Sequence, residues 1–190
     1  MLEADIAKTL GISRGPVREA IKAVEQAGIV TVEPRKGAFV AIFDNDKINE
    51  VFEIRILLET SIIEYLIVHK KLVESDFAAL NKLVEEMVEI AGGGEDSNEV
   101  LLALNKKDIE FHRYIWQKSK NQLKKRILDD LYFRLRLAML HDTKATKNLL
   151  KTATDHFAII KGLREGDIGR CRQALIDHIE SIFTLGQMLV

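Results

Sequence analysis

The chain has 190 residues, of which 47% are hydrophobic and 30% charged. That balance is globular and is not the low-hydrophobicity, high-charge signature of disorder. Its 28 Lys and Arg against 29 Asp and Glu give a net charge of -1, which excludes a polybasic coating protein but not a local basic face for DNA. The single Cys171 excludes an intrachain disulfide and a Cys-rich zinc finger, as suits a reducing cytoplasm. No apolar run reaches the roughly 18 residues of a membrane span, and Met1–Leu10 lacks the charge pattern of a signal peptide. A cytoplasmic protein is expected.

The first forty residues differ in texture from the rest. Ile6, Ala7 and Leu10 give helical periodicity over Ala4–Leu10, and Gly11 breaks it. Ser13 is a good N-cap and Pro16 sits in the first turn of a second helix, where its missing N–H costs nothing. Val17, Ala20, Ile21 and Val24 continue that helix to about Ala27, and Gly28 stops it. Residues 29–32 are strand-like, Pro34–Gly37 reads as a turn, and residues 38–42 are strand-like again. Helix, turn, helix and hairpin is the order of a winged helix-turn-helix.

From Asp44 onward the pattern predicts helices and no strand. The first runs from Asp44 or Asn45 to about Lys70. The second is capped by Ser75 or Asp76 and runs to about Ala91. Two more cover Asn98–Ser119 and Asn121–His141. A fifth lies within Thr143–Glu165, and a sixth runs from Asp167 to about Met188. The expected fold is mostly α: a winged helix-turn-helix over residues 1–43, then a six-helix antiparallel bundle over residues 44–190.

In a helix-turn-helix the second helix enters the major groove. Arg14, Arg18 and Lys22 form a stripe on that helix, and Arg35 and Lys36 lie at the tip of the wing. The guanidinium fork suits guanine edges or phosphate. A plain solvated face is the alternative reading. The run Leu10–Ile21, with its Ser13-Arg14-Gly15-Pro16-Val17-Arg18-Glu19-Ala20 core, and the wing Pro34–Val40 resemble the DNA-binding domain of GntR-family bacterial transcription regulators. The resemblance implies operator contacts by Ser13, Arg14 and Arg18, assisted by the wing around Gly37. Two departures stand out. Family members usually carry a further helix before the position of Leu2, ending in a basic residue that touches phosphate. This chain starts after it. Weak operator binding, a poorly ordered DNA domain and an incompletely covered apolar face of Ile6, Leu10 and Ile21 are therefore expected. Gly15 stands where the family often has Thr.

The bundle carries a second constellation. Asp108 and His112 are four residues apart on one helix and share a face. His156 and His178 lie on either side of the Gly166-Asp167 turn, each about 15 Å from it at 1.5 Å per residue. An antiparallel hairpin would bring them to one height. Three imidazoles and a carboxylate suit zinc or nickel, or iron or manganese, better than calcium or magnesium. Taken singly, each is more often a surface pair or a buried structural histidine. Asp108-Ile109-Glu110-Phe111-His112, Asp155–Ile160, Gly166-Asp167, Asp177-His178-Ile179 and Arg55–Glu59 resemble the FCD ligand-binding domain of the FadR subfamily, and the helix count resembles its shorter, VanR-like group. The resemblance implies a divalent metal on Asp108, His112, His156 and His178, with open positions for a small carboxylate effector.

Arg55 can pair with an effector carboxylate, or form an ion pair with Glu59 one turn on. Arg134 and Arg136 can line the cavity or the surface, with surface the favoured reading, and His69 reads as surface. His141 suits a helix C-terminus, and Trp116 and Phe111 read as core. A twofold operator requires a twofold protein, so a homodimer follows from the DNA reading. The expected function is a transcription regulator that binds operator DNA as a dimer, controlled by a small organic acid beside a metal. The alternatives are a metal sensor, a metal-dependent hydrolase, and a metal-free bundle that binds a fatty or aromatic acid.

Overall fold

A computed structural model describes residues 2–26, 28–40, 45–93, 97–131, 134 and 148–183. The N-terminal head consists of α1 (Glu3–Leu10), α2 (Arg14–Gln26), β1 (Val30–Glu33) and β2 (Gly37–Val40). Gly11 ends α1 with a φ of 65°. Gly28 ends α2 with a φ of 73°. Its N–H donates to the carbonyl of Glu25 at 2.8 Å and that of Ile29 to Val24 at 2.9 Å, the paired closure of a Schellman end. Ala7, Val17, Val30 and Ala38 make a small core shared by all four elements. Ile6 and Ile21 are half-buried, and Leu2 and Leu10 are exposed.

The two strands pair antiparallel, with Val30 opposite Val40 and Glu33 opposite Gly37. Each strand extends one residue further into the turn than the predicted 29–32 and 38–42, to Glu33 and from Gly37, while residues 41 and 42 fall outside the described ones. The turn closes by a bond from Lys36 N–H to the Glu33 carbonyl at 3.1 Å. Pro34 takes its second position and Arg35 its third, where Arg35 adopts a φ of 66°. That left-handed geometry normally favours glycine or asparagine. The wing tip thus holds a basic side chain at a strained position.

The bundle follows as α3 (Asn45–Val68), α4 (Glu74–Gly92), α5 (Asn98–Lys118), α6 (Gln122–Asp130), α7 (Leu149–Glu165) and α8 (Ile168–Phe183). Six helices follow the hairpin among the described residues, as predicted. Ser97, Asn121 and Asn148 cap α5, α6 and α7, each accepting a backbone N–H three residues on. The start of α4 corrects the sequence reading. Neither Ser75 nor Asp76 is its N-cap. Val73 holds that place, and Asp76 reaches back to accept the Val73 N–H at 3.0 Å. The described part of α6 ends at Asp130, and α7 begins at Leu149. Residues 143–147, His141 and Arg136 lie outside the described residues, as does the expected continuation of α8 to Met188.

Helices α4 and α5, α4 and α7, α7 and α8, and α3 and α8 pack in pairs around one core. Trp116 and Phe111 are fully buried in it, as expected. The α7–α8 hairpin turns at Gly166, with a φ of 71°, and Asp167 caps α8 by accepting the Arg170 N–H at 2.9 Å. Gly162 sets how closely the two helices approach. A Cβ at this position would lie 2.7 Å from the Cα and Cβ of Cys171. Only a residue without a side chain admits that contact.

Two substitutions test this. Gly162→Val is expected to lower stability by about 1–3 kcal/mol, because the obstacle is backbone and cannot swing aside. Gly169→Ala, whose nearest neighbour would be an Asp167 oxygen at 3.6 Å, is expected to be neutral or slightly stabilising. Urea unfolding of both variants reads the difference; equal losses would remove the special role of Gly162.

Candidate metal centre and DNA-reading face

Three helices bring four side chains together at the middle of the bundle. Helix α5 supplies Asp108 and His112, α7 supplies His156, and α8 supplies His178. Six residues separate His156 from Gly162 and seven separate Cys171 from His178, so the close contact brings the imidazoles level about 10 Å along the hairpin. All four side chains are buried, and one ligand atom from each lies within 4.8 Å of the others. The spacing argument therefore brings together every residue it named for a metal.

The orientation of each ring matters more than proximity. His112 Nδ1 lies 2.6 Å from Glu59 Oε2 on α3. Glu59 is held ionised, because its pKa falls to about 2: burial raises it, but the charges and hydrogen bonds of His112 and Arg55 outweigh burial. An ionised carboxylate only accepts, so Nδ1 carries the proton. His156 Nδ1 faces the carbonyl oxygens of Thr152 and Ala153, both at 3.1 Å, and must donate as well. With Nδ1 turned outward on both rings, each Nε2 faces the shared centre, where a neutral ring would offer its lone pair.

Asp108 points there too. Its Oδ1 lies 3.1 Å from His156 Nε2 and 3.4 Å from His178 Nε2, yet neither carboxylate oxygen has a hydrogen bond of acceptable geometry. A buried carboxylate facing nitrogen lone pairs needs a cation or a proton between them. Burial pushes the Asp108 pKa up, but the His156 and His178 rings outweigh that and hold it well below the usual range. Burial, followed by the charge of Arg55, lowers the His112 pKa against Glu59 and Asp108. Burial and then the charge of His156 push His178 down to about 3. A transition metal requires an anionic carboxylate and neutral imidazoles, and the shifts of Asp108, His112 and His178 all run toward that state.

Arg55 is fully buried. Its Nε donates to Glu59 Oε1 at 2.7 Å, and its Nη2 lies 3.7 Å from Asp108 Oδ2. The structural ion pair is thus realised. Sequence reasoning weighed Glu59 only as a partner of Arg55 and missed its hold on His112, 53 residues away on another helix. His69 is exposed, its ring tilted against that of Tyr65 with centroids 4.5 Å apart.

The residues named for DNA form a separate, exposed face. Ser13, Arg14, Arg18 and Lys22 are exposed at the start and along one side of α2, with Arg35 and Lys36 exposed on the wing. Arg18 is not idle: it forms a two-pronged ion pair with Glu3 of α1, at 3.0 Å from Nη2. Lys22 pairs with Glu19 at 3.1 Å and Lys36 with Glu33 at 2.6 Å. Gly37, with a φ of 99°, follows the turn.

The buried centre gives stability a direction in pH. An unfolded histidine takes up a proton near 6.5, whereas folded His178 resists it to about 3. The unfolded chain therefore binds more protons in that window, and stability falls as pH falls through it. Asp108 and Glu59, with lowered folded values, act in the same direction at the acid end. The melting temperature of metal-free protein is expected to drop steadily between pH 6.5 and 4 and to level off above 7; a flat profile would show that His178 is not held neutral.

Comparison with known proteins finds two family matches along the chain. Residues 1–40 match the family of bacterial regulatory proteins, gntR family, and residues 50–181 match the FCD domain. The chain is 26% identical over 179 residues to the uncharacterized HTH-type transcriptional regulator YdhC of Bacillus subtilis, covering 93% of this chain and 76% of that protein. It is 35% identical over 113 residues to the gluconate operon transcriptional repressor of the same organism, covering 60% of this chain and 43% of that protein. Among solved structures, E. coli McbR/YncC superposes over 100% of this chain and 88% of its own, with a TM-score of 0.79 at 21% identity. These relatives are regulators rather than enzymes, so the hydrolase reading is set aside. No helix among the described residues is long and apolar enough to cross a membrane. A gntR-type winged helix-turn-helix joined to an FCD bundle places this chain among the GntR-family transcription regulators.

Proposed function

We propose that the protein is a cytoplasmic, homodimeric regulator whose operator affinity responds to a small carboxylate bound beside a divalent transition metal. The observation that carries the metal is the pair of outward-turned Nδ1 atoms on His112 and His156, which leaves both Nε2 atoms facing the centre shared with Asp108, whose oxygens have no hydrogen bond. His178 completes a three-nitrogen, one-oxygen set that suits zinc or nickel, with iron or manganese also accepted. When bound, such a metal would supply Lewis acidity and positions for a carboxylate. Arg55, buried beside Asp108, is the cation that would meet the rest of an organic acid. His178 also lines a surface groove of about 340 Å³ between α7 and α8, beside Asp155, Arg170 and Asp177.

The domain division is proposed near residue 43, between the two matched regions. Dimer formation is supported by the exposed apolar residues Ile54 and Leu57 of α3 and Leu123 and Ile127 of α6, on two helices that pack together. The head would read DNA through Ser13, Arg14, Arg18 and Lys22, with Arg35, Lys36 and Gly37 at a neighbouring groove. Arg18 must exchange Glu3 for phosphate or base to do so.

Elemental mass spectrometry of purified protein is expected to find about one transition metal per chain, and His156→Ala is expected to lose it. No metal in the wild type after zinc or nickel is added would sink the proposal. A bound metal that dissociates within minutes would instead favour the metal itself as the signal. Arg14→Ala is expected to cost about 1–3 kcal/mol of discrimination between a duplex selected from a random pool and a scrambled one, if Arg14 reads a base. Uniform weakening on both duplexes would reassign Arg14 to phosphate.

A further inference from the structure

The DNA-reading helix α2 ends without a basic residue in its last turn. Its C-terminal carbonyls carry the negative end of the helix dipole. A cation is supplied to that end from the other domain. Arg134, four residues beyond α6, lays its guanidinium against Gly28: a Cβ there would lie 2.8 Å from Arg134 Nε and Nη2 and 3.0 Å from Cζ. The bare α-carbon of Gly28 makes the space. Sequence reasoning placed Arg134 on the surface.

We infer that Arg134 is a positioning residue for DNA reading: it clamps the C-terminal end of α2 to the bundle and passes the state of the bundle centre to the head. The route is short. His112 is followed by Arg113 on α5, whose Nε donates to Asp129 Oδ1 on α6 at 3.0 Å. Asp129 lies five residues before Arg134. A shift of α5 that follows metal binding at Asp108 and His112 moves α6 through this ion pair, and with it the clamp. Such a shift tilts the stripe of Arg14, Arg18 and Lys22, which α2 carries at its other end. The clamp itself does not depend on the metal reading; the relay through Arg113 and Asp129 does.

Hydrogen exchange of the full chain, with and without one equivalent of zinc, tests both parts. In metal-free Arg134→Gln, the amides of Gly28 and Ile29 are expected to exchange about two- to fivefold faster than in the wild type, the scale of a cation at a helix end. Arg134→Lys, which keeps the charge, is expected to recover most of the protection. Arg126→Gln, an exposed α6 control, is expected to match the wild type. Equal protection in Arg134→Gln and the wild type overturns the clamp, as does equal loss in Arg134→Lys and Arg134→Gln. Zinc is expected to change protection at Gly28 and Ile29 in the wild type and not in Arg134→Gln. Zinc that binds, by elemental analysis, yet leaves the wild-type amides unchanged overturns the relay. Zinc that does not bind at all defeats the metal proposal instead, and the metal-free comparison still decides the clamp.

Discussion

A carboxylate buried with no aligned donor is unfavourable, and the interior of this bundle is arranged around one. Asp108 is buried with both oxygens lacking hydrogen-bond geometry, while three imidazoles crowd it. Around it, several nearby groups also hold one another in place. Glu59 holds His112 from the far side, Arg55 holds Glu59, and two carbonyls on α7 hold His156. Removing any of these partners would release a ring to turn away from Asp108. The helices are therefore coupled through polar atoms as well as through the core, and α3, α5, α7 and α8 all have a stake in one point.

The close approach at Gly162 makes that convergence possible. The imidazoles reach the centre from two helices that touch backbone to side chain near Cys171. Cys171 itself is buried, with burial raising its thiol to about 12, so it acts as packing rather than as a nucleophile or ligand. A wider hairpin would leave His156 and His178 on opposite walls of a gap. The dimensions of the centre are in this sense set by an absent side chain far from it.

Much of this was legible in the sequence because it is local. The run Ser13–Ala20 and the wing are contiguous, and their turn residues announce the order of elements. Asp108 and His112 share a face by helical period, and the hairpin symmetry of His156 and His178 about Gly166-Asp167 needs only the rise per residue. What was hidden depends on tertiary placement. Glu59 meets His112 only because α3 packs beside α5. The start of α4 was misplaced because Asp76 caps from inside the helix, and an inward-reaching acidic residue looks the same in sequence as a true N-cap. For Arg55 both pairings were chemically open, and packing brought Glu59 within reach first. The left-handed Arg35 and the approach of Arg134 to Gly28 leave no periodic trace at all.

The burial of all four candidate ligands sets a timescale. Asp108 and the three imidazoles are 0–1% exposed, so an ion reaches or leaves them only as the packing beside the groove at His178 loosens. Exchange would then be governed by opening of the bundle rather than by ordinary ligand dissociation. An ion captured while the chain folds would stay for as long as the bundle stays closed. The time that added zinc or nickel takes to load would then measure how often the bundle opens, separately from how tightly its centre holds an ion.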